Sequence, residues 1–150
     1  MTVKTYAPAA LDLGERARAL AADLDTWVRR VRLDTQERWY ERLHHDDDHE
    51  VWLISWLPGQ TTGFHDHGDS RGAFSVALGT LREHDVTAER ELAPGEVREF
   101  GPGYVHEVRN TSGAPAVSVH VYSPPLSVMT RYDLTGSGLV KRVEETAEQW

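Results

Sequence analysis

Histidine is the residue type in this sequence that most directly suggests chemistry, because a neutral imidazole is a common ligand for divalent transition metals. The chain has eight histidines. His65 and His67 are separated by one residue, and on a β-strand the side chains at positions i and i+2 lie on the same face. Two imidazoles placed in this way can reach one metal ion. The third ligand must come from another segment, where His84, His106 and His120 are the candidates.

A second group of polar side chains falls on one predicted strand, residues 117–122. Ser118, His120 and Tyr122 alternate with three valines, so the polar groups share one face of the strand. If both faces of the strand are covered, three polar groups in a row predict a polar cavity or a hydrogen-bonded chain. A nucleophilic triad is not expected, because no acid is placed to orient the histidine.

The elements that must position these residues differ between the two parts of the chain. In the first third, apolar residues recur at steps of three and four, which predicts helix. This stripe comprises Leu13, Ala17, Leu20, Leu24, Trp27, Val28 and Val31. A second short helix or turn is expected at about residues 35–43. The polar connector that follows carries three histidines that we expect to be solvated, namely His44, His45 and His49.

From residue 50 onward, short apolar runs alternate with glycine and proline turn signals, which is typical of a β-sandwich or barrel. The predicted strands cover residues 51–57, 73–78, 80–86, 97–100, 105–108, 117–122, 128–134 and 138–143. We therefore predict an all-β fold in one domain over residues 1–150. Its helical part, at about residues 9–43, would lie outside a barrel at about residues 50–143.

Composition argues against several function classes. The chain has 150 residues and a formal charge of −8, from 24 acidic and 16 basic residues, and this balance disfavours nucleic acid as a partner. No run of about 18 apolar residues is present, so no membrane span is expected. The chain has no cysteine, which excludes disulfides, thiolate nucleophiles and iron–sulfur clusters. The first residues lack the apolar segment of a secretory signal, so we expect a cytoplasmic protein. Monomer and dimer are equally open.

The spacing of glycines around the histidines resembles the two sequence motifs of the cupins, which are small double-sheet barrels. The residues that match the motifs are Gly59, His65, His67 and Gly79, then Gly103, His106 and Asn110. The glutamate that usually follows the histidine pair is missing, because Arg71 and Gly72 stand near its place. Three neutral imidazoles bind a divalent ion without cancelling its charge, which favours anionic ligands. Metal-hydroxide hydrolysis and oxygen activation are both compatible with such a site.

Four segments, taken in order, resemble the bacterial members of the cysteine dioxygenase type I family. They are residues 38–43, 63–73, 79–83 and 118–126, and the resemblance extends over about residues 38–133. The resemblance implies an iron enzyme that oxidises the thiol of L-cysteine to cysteine sulfinate with both atoms of O2. One non-haem Fe(II) per chain would be held by His65, His67 and His106.

The resemblance also implies how the substrate is bound. Arg42, helped by Tyr40 and Tyr122, is expected to anchor the cysteine carboxylate, since a planar guanidinium suits a carboxylate. Arg71 and Arg131 are rivals for this role. The alternative for Arg42 is an ion pair with the acidic residues at 46–48.

Ser118, His120 and Tyr122 match the family's outer-sphere chain, which holds the phenol near the reacting atoms. His120 is therefore expected beside the metal ligands rather than among them, and it would contact the substrate together with Tyr122. The resemblance also suggests a cis peptide at Ser123-Pro124, which proline permits.

This sequence departs from the mammalian members at one position. Those members carry a cysteine five residues after the second histidine of the pair, crosslinked to the active-site tyrosine. Gly72 stands at that position here and the chain has no cysteine, so a thioether with Tyr122 cannot form. Any activity must come from an uncrosslinked Tyr122.

Three alternatives to cysteine oxidation are kept open. The first is 3-mercaptopropionate dioxygenase, a relative that typically has glutamine at the anchor position where we place Arg42. The second is a non-catalytic cupin that binds a metal and a small ligand, for example as a sensor. The sequence shows no DNA-binding segment, which counts against a one-chain regulator. The third is another metal cupin reaction, on a flavonol or a diketone. The polar chain and the arginine suit those apolar substrates poorly.

Overall fold

The computed structural model describes residues 11–146. Two helices, α1 (Leu13–Ala22) and α2 (Leu24–Trp27), precede the strands. The strands are β1 (Trp39–His45), β2 (Glu50–Trp56), β3 (Phe64–His65), β4 (Arg71–Leu78), β5 (Leu81–His84), β6 (Glu89–Leu92), β7 (Val97–Phe100), β8 (Glu107–Arg109), β9 (Ala116–Ser123), β10 (Val128–Thr135) and β11 (Gly138–Thr146). Residues 9 and 10 of the predicted helical part, and both ends of the predicted domain, lie outside the described residues. Neither described helix is long and apolar enough to cross a membrane.

The strands form one large and two small antiparallel sheets. The large sheet has the order β1-β2-β9-β4-β7, and the small sheets have the orders β11-β10-β3 and β6-β5-β8. An isolated bridge between His65 and His106 joins the two small sheets at β3 and β8. The all-β prediction is confirmed, and the histidines of the two motifs meet where the small sheets meet.

Strand β9 is the centre of the fold, since every one of its residues is buried. Its valines face an outer apolar cluster, which also contains residues of α1, α2, β2 and β4. On the other face, Trp56, Phe74, Leu81 and Val108 contribute to a second apolar cluster inside the barrel. The predicted alternation is therefore correct. Because α1 covers the valine face, the polar side chains of β9 are directed into the barrel.

The apolar stripe of the first third does not form one continuous helical face. Asp23 lies between α1 and α2 with extended backbone angles, and its carboxylate accepts a hydrogen bond from the Asp25 amide at 3.1 Å. An aspartate that caps the next helix in this way interrupts the preceding one. As a result Leu24 and Val28 are exposed, although the sequence pattern placed them on the buried face.

The helix or turn expected at about residues 35–43 is wrong over most of its length, because β1 occupies Trp39–His45. This strand pairs with β2 in antiparallel register, Tyr40 opposite Ile54 and Arg42 opposite Trp52. Pairing with a buried strand outweighs local helix preference here. The sheet therefore begins at β1, well before the predicted barrel boundary at residue 50.

The predicted strands after residue 50 overlap the observed ones, but two short strands were not predicted. These are β3, of two residues, and β6, of four. Each is too short or too charged to give an apolar run of its own. The omission matters for β3, which carries His65.

Candidate metal centre

His65, His67 and His106 meet inside the barrel as a compact cluster. One ring nitrogen from each lies within 4.8 Å of the others, and all three residues are buried. His65 and His106 exchange two backbone hydrogen bonds of 3.0 Å across their bridge, which fixes their relative position. The Nε2 atoms of His65 and His67 are 3.1 Å apart. Such a convergence of nitrogen donors is suited to a divalent transition metal.

The segment around the histidine pair is shaped by turns. Gly63 and Gly68 both have positive φ, +68° and +58°, a conformation that glycine adopts without steric cost. Between the histidines, Asp66 is directed away from the cluster. Its carboxylate accepts hydrogen bonds from the Thr130 amide at 3.2 Å and the Tyr132 hydroxyl at 2.7 Å. This orientation, opposite to that of the two flanking histidines, follows from the alternation of side chains along extended backbone.

Hydrogen bonds at the outer ring nitrogens of His65 and His106 set which nitrogen of these two rings faces the cluster. Nδ1 of His65 donates to the Gly63 carbonyl at 2.9 Å, so its Nε2 lone pair is free for the cluster. Nδ1 of His67 has no hydrogen-bond partner in the described part of the chain, and its ring stacks against Phe100 and Tyr122. Burial lowers the pKa of both His65 and His67 well below the usual histidine value. Both rings are therefore neutral at pH 7, as metal ligation requires.

Glu83 is a site residue that the sequence analysis missed. Its carboxylate is fully buried and its Oε2 accepts a hydrogen bond from Nδ1 of His106 at 2.8 Å. Burial alone raises the pKa of Glu83, but hydrogen bonds and charge from His106 and Arg98 outweigh that effect and hold the pKa at about 2. One signal was available, because Glu83 is two residues after Leu81 on β5 and so shares its buried face.

The cluster lies at the base of a cavity of about 330 Å³. Its walls come from both layers of the barrel, with Trp52, Ile54 and Tyr122 on one side and Val108, Met129 and Arg131 on the other. A volume of this order suits a small-molecule ligand. The cavity combines apolar walls with a few convergent polar groups, which is the usual composition of a binding site.

Arg38 is the second cavity residue that the sequence analysis did not select as a candidate. Its guanidinium carbon lies 5.1 Å from the centroid of the Trp56 ring. Burial lowers its pKa, yet no carboxylate of the described residues pairs with it within ion-pair distance. By contrast Arg131, which also lines the cavity, donates to Glu145 at 2.9 Å and to the Thr62 carbonyl at 3.0 Å. Arg38 is therefore the cavity cation that is available to a ligand.

Arg42 does not line the cavity, contrary to its expected role as the carboxylate anchor. It is 49% exposed and lies 3.8 Å from Glu50, with its guanidinium over the ring of Trp52. The reason is the register of β1, which carries Tyr40 to the cavity and Arg42 past its rim. The acid that pairs with Arg42 is Glu50 rather than one of the acids at 46–48. Arg71 is also outside the cavity, since it donates to the Leu11 carbonyl at 3.3 Å.

Ser118, His120 and Tyr122 form the expected chain, and Trp56 extends it. The Trp56 indole donates to Ser118 Oγ at 2.9 Å, and Ser118 donates to His120 Nε2 at 2.7 Å. His120 then carries its proton on Nδ1, which lies 3.4 Å from the Tyr122 hydroxyl. Because an indole can only donate, Ser118 Oγ accepts from Trp56, and its own hydrogen is available for donation to His120. The hydroxyl hydrogen of Tyr122 is left free for the cavity.

Two members of this hydrogen-bonded chain line the cavity, His120 and Tyr122, and their environment keeps both uncharged. Burial and the nearby charge of Arg38 lower the pKa of His120 to about 3. Burial also raises the pKa of Tyr122 well above its usual value. His120 is not a member of the three-histidine cluster, as expected. The peptide bond Ser123-Pro124 is cis, also as expected.

The histidines at the β1–β2 turn are not all solvated. His49 is buried and stacks on His44 with ring centroids 4.5 Å apart. Its Nε2 accepts a hydrogen bond from Arg16 at 2.9 Å, which leaves the proton on Nδ1, near the carboxylates of Asp46 and Asp48. A protonated Nδ1 is not a metal ligand, so hydrogen bonding and charge account for this group.

Comparisons with known proteins agree with this geometry. A family model described as "Cysteine dioxygenase type I" matches residues 9–135. The proteins named cysteine dioxygenase type 1 from Rattus norvegicus and Bos taurus are each 30% identical to this chain over 97 residues, which is 55% of this chain and 48% of theirs. The chain thus spans about half the length of the curated relatives it matches.

Two solved structures are similar in fold. The TT1209 protein of Thermus thermophilus superposes with a TM-score of 0.62 at 27% identity, covering 69% of this chain and 95% of that one. A protein with a double-stranded β-helix domain from Klebsiella pneumoniae has a TM-score of 0.60 at 24% identity, covering 65% of this chain and 80% of that one. These matches confirm the predicted cupin-type barrel.

Proposed function

The chain belongs to the cysteine dioxygenase type I family, and from this premise we propose that it is a thiol dioxygenase whose leading substrate is L-cysteine. The reaction adds both atoms of O2 to the thiol sulfur and gives cysteine sulfinate. One observation carries the proposal: the three-histidine cluster faces the same cavity as the guanidinium of Arg38, which pairs with no carboxylate of the described residues.

We assign Fe(II) to His65, His67 and His106. The donor set supports this assignment, because three neutral imidazoles suit a first-row divalent metal and leave coordination positions open for other ligands. The free Nε2 lone pair of His65 and the carboxylate behind His106 are features of histidines arranged as ligands. When bound, Fe(II) supplies positions for a thiolate and for dioxygen, together with the redox chemistry that lets them react.

We assign to Arg38 the carboxylate-anchoring role that the family resemblance predicted for Arg42. The planar fork of an arginine matches a carboxylate in two hydrogen bonds. Stacking on Trp56 holds the guanidinium in place, so less side-chain freedom is lost when a ligand binds. Tyr40 also lines the cavity, and its hydroxyl is the neighbouring group assigned to the carboxylate end of the substrate.

Tyr122 is assigned to the reacting end of the substrate. Its phenol stays protonated because burial raises its pKa, and the hydrogen-bonded chain behind it leaves its hydroxyl hydrogen directed to the cavity. The hydroxyl therefore donates a hydrogen bond to negative charge that develops on sulfur or oxygen. Ser118 and His120 act through this phenol, by holding its orientation.

The choice between cysteine and 3-mercaptopropionate depends on the amino group. Both substrates carry a carboxylate, so Arg38 accounts for what they share and not for the difference between them. The names of the curated relatives support cysteine.

Oxygen consumption by the Fe(II)-loaded protein tests the proposal. L-cysteine and 3-mercaptopropionate are compared side by side, and the sulfinate product is quantified. We expect one sulfinate per O2 with cysteine. Turnover of 3-mercaptopropionate alone would keep the chemistry and overturn the substrate. No uptake with either thiol, in protein that holds iron, would favour a non-catalytic binding cupin.

A further inference from the structure

We infer that Glu83 is a positioning residue for His106, and that through this imidazole it supplies a negative charge that the three-histidine site lacks among its own ligands. The inference rests on the metal site of the proposed function and adds a residue that tunes it. Its basis is the contact between a fully buried carboxylate and the outer nitrogen of one ligand.

The three ligands are supported by different groups. Nδ1 of His65 is bound to a carbonyl oxygen, and Nδ1 of His67 has no partner in residues 11–146. Among the three, His106 alone contacts a carboxylate of the described residues with its outer nitrogen, at 2.8 Å from Glu83. A carboxylate that accepts from the outer nitrogen fixes the tautomer and raises the electron density at the ligating nitrogen. His106 is thus the ligand through which charge reaches the metal.

The position of Glu83 also bears on the glutamate that is missing from the first cupin motif of this chain. At the place near which cupins usually carry a glutamate, this chain has Arg71 and Gly72. Arg71 is turned away from the cavity and donates to the Leu11 carbonyl. Glu83, on β5, therefore provides its negative charge from behind a ligand instead of as a ligand.

Two arginines compete with His106 for the charge of Glu83. Its Oε1 accepts hydrogen bonds from Arg90 at 2.5 Å and from Arg98 at 2.7 Å, while its Oε2 is left to His106. Both guanidiniums are about one-third exposed, at 30% and 28%. Each arginine draws negative charge away from the imidazole. Loss of Glu83 and loss of one arginine must then shift metal affinity in opposite directions.

This opposition separates electrostatic tuning from a merely structural role. Co²⁺ is the probe, and its affinity is measured by competition with a chelator on metal-free wild type, Glu83→Gln and Arg98→Gln. Glu83→Gln is expected to weaken Co²⁺ binding by about 10- to 100-fold, the usual effect of losing such a partner. Arg98→Gln is expected to bind Co²⁺ more tightly than wild type.

Glu89→Gln is the matched control. It makes the same change on the neighbouring strand β6, where Glu89 pairs with Arg82, Arg109 and His84 and with none of the three clustered histidines. We expect its Co²⁺ affinity to stay within twofold of wild type. A second readout is the ¹⁵N spectrum of the histidine rings in metal-free protein. His106 should be protonated at Nδ1 in wild type and lose that preference in Glu83→Gln.

Each outcome is decisive. Unchanged Co²⁺ affinity in Glu83→Gln, or weaker binding in Arg98→Gln as well, would overturn the inference while leaving the proposed function intact. A wild-type protein that binds no Co²⁺ would overturn the metal site and both proposals. If Glu83→Gln does not fold, the double variant Glu83→Gln/Arg98→Gln, which removes one charge of each sign, replaces it, and its Co²⁺ affinity is expected to be weaker than that of Arg98→Gln.

Discussion

Replacement of Arg38 by glutamine should selectively impair substrates that carry a carboxylate. Glutamine keeps much of the side-chain length and its hydrogen-bonding capacity but removes the positive charge. Arg38 has no carboxylate partner in the described chain and stacks on Trp56 beside the cavity. The variant therefore loses little internal structure, and its main loss is the attraction for an anionic ligand.

The magnitude follows from the position of the guanidinium. Loss of one partner of a desolvated charge pair costs about 2–5 kcal/mol, and the lower half of that range applies because Arg38 lies at a cavity open to solvent. A loss of about 2–3 kcal/mol corresponds to a decrease of about 30- to 150-fold in kcat/KM, mostly through KM. Arg42 is half-exposed and already pairs with Glu50, so Arg42→Gln should cost at most about 1 kcal/mol, or about fivefold.

The assay compares L-cysteine with cysteamine, which has the same thiol and amine but no carboxylate. Arg38→Gln should lower kcat/KM for cysteine and leave cysteamine nearly unchanged, while iron content stays at the wild-type level. Two results would refute the assignment. One is an equal loss for both thiols, which would indicate a general structural role. The other is a KM for cysteine that is unaffected in Arg38→Gln and raised in Arg42→Gln.

Four further predictions concern the metal site and the groups around it. His106→Ala should abolish Co²⁺ and Fe(II) binding in a chelator competition, because the two ligands of one short segment bind weakly alone; retained binding would remove His106 from the site. Tyr122→Phe should keep its iron but lose about 10²-fold or more in kcat, the usual contribution of a positioned proton donor; an unchanged kcat would argue against that role. Gly72→Ala should lower the free energy of unfolding by about 1–3 kcal/mol, since the new Cβ would lie 2.6 Å from Phe100 ring atoms and 2.9 Å from Tyr122 Cδ1. Urea denaturation measures this free energy, and a variant as stable as wild type would contradict the prediction. The folded-state pKa of His120 is about 3 against 6.5 for the free side chain, so the free energy of unfolding should fall as pH drops from 6.5 toward 3. In urea denaturation of metal-free protein, His120→Gln should reduce this dependence of unfolding free energy on pH by up to about 1.4 kcal/mol per pH unit. An identical pH dependence in the variant and wild type would contradict the assignment of a neutral buried His120.

The sequence predicted the parts of the fold that local pattern encodes. Apolar runs between glycine and proline signals located most strands, and the alternation in residues 117–122 correctly separated the buried valines from the polar interior face. The histidines that meet inside the barrel were also predicted, because spacing within two short motifs identifies them. Their assignment to iron stays a prediction.

The residues that were missed depend on contacts between distant segments. Arg38 and Arg42 both flank Tyr40 at two residues' distance, and only the register of β1 against β2 decides which of them reaches the cavity. Glu83 is 23 residues from its partner His106 in the chain. Neither relationship leaves a periodic signal, since each is created by the pairing of strands.

The chain as a whole has an excess of acidic residues, but the cavity contains a cation without a carboxylate partner among the described residues. With 24 acidic and 16 basic residues, an exposed arginine has a carboxylate available in most surroundings, and Arg42 and Arg131 each have one. Arg38 has none within ion-pair distance in the described chain, although desolvation of an unpaired cation is unfavourable. The buried carboxylate nearest the metal cluster, Glu83, is itself fully engaged by His106 and two arginines. An anion that enters the cavity would therefore meet the guanidinium of Arg38 beside the three-histidine cluster, and its carboxylate would offset part of the free energy that desolvation of Arg38 costs.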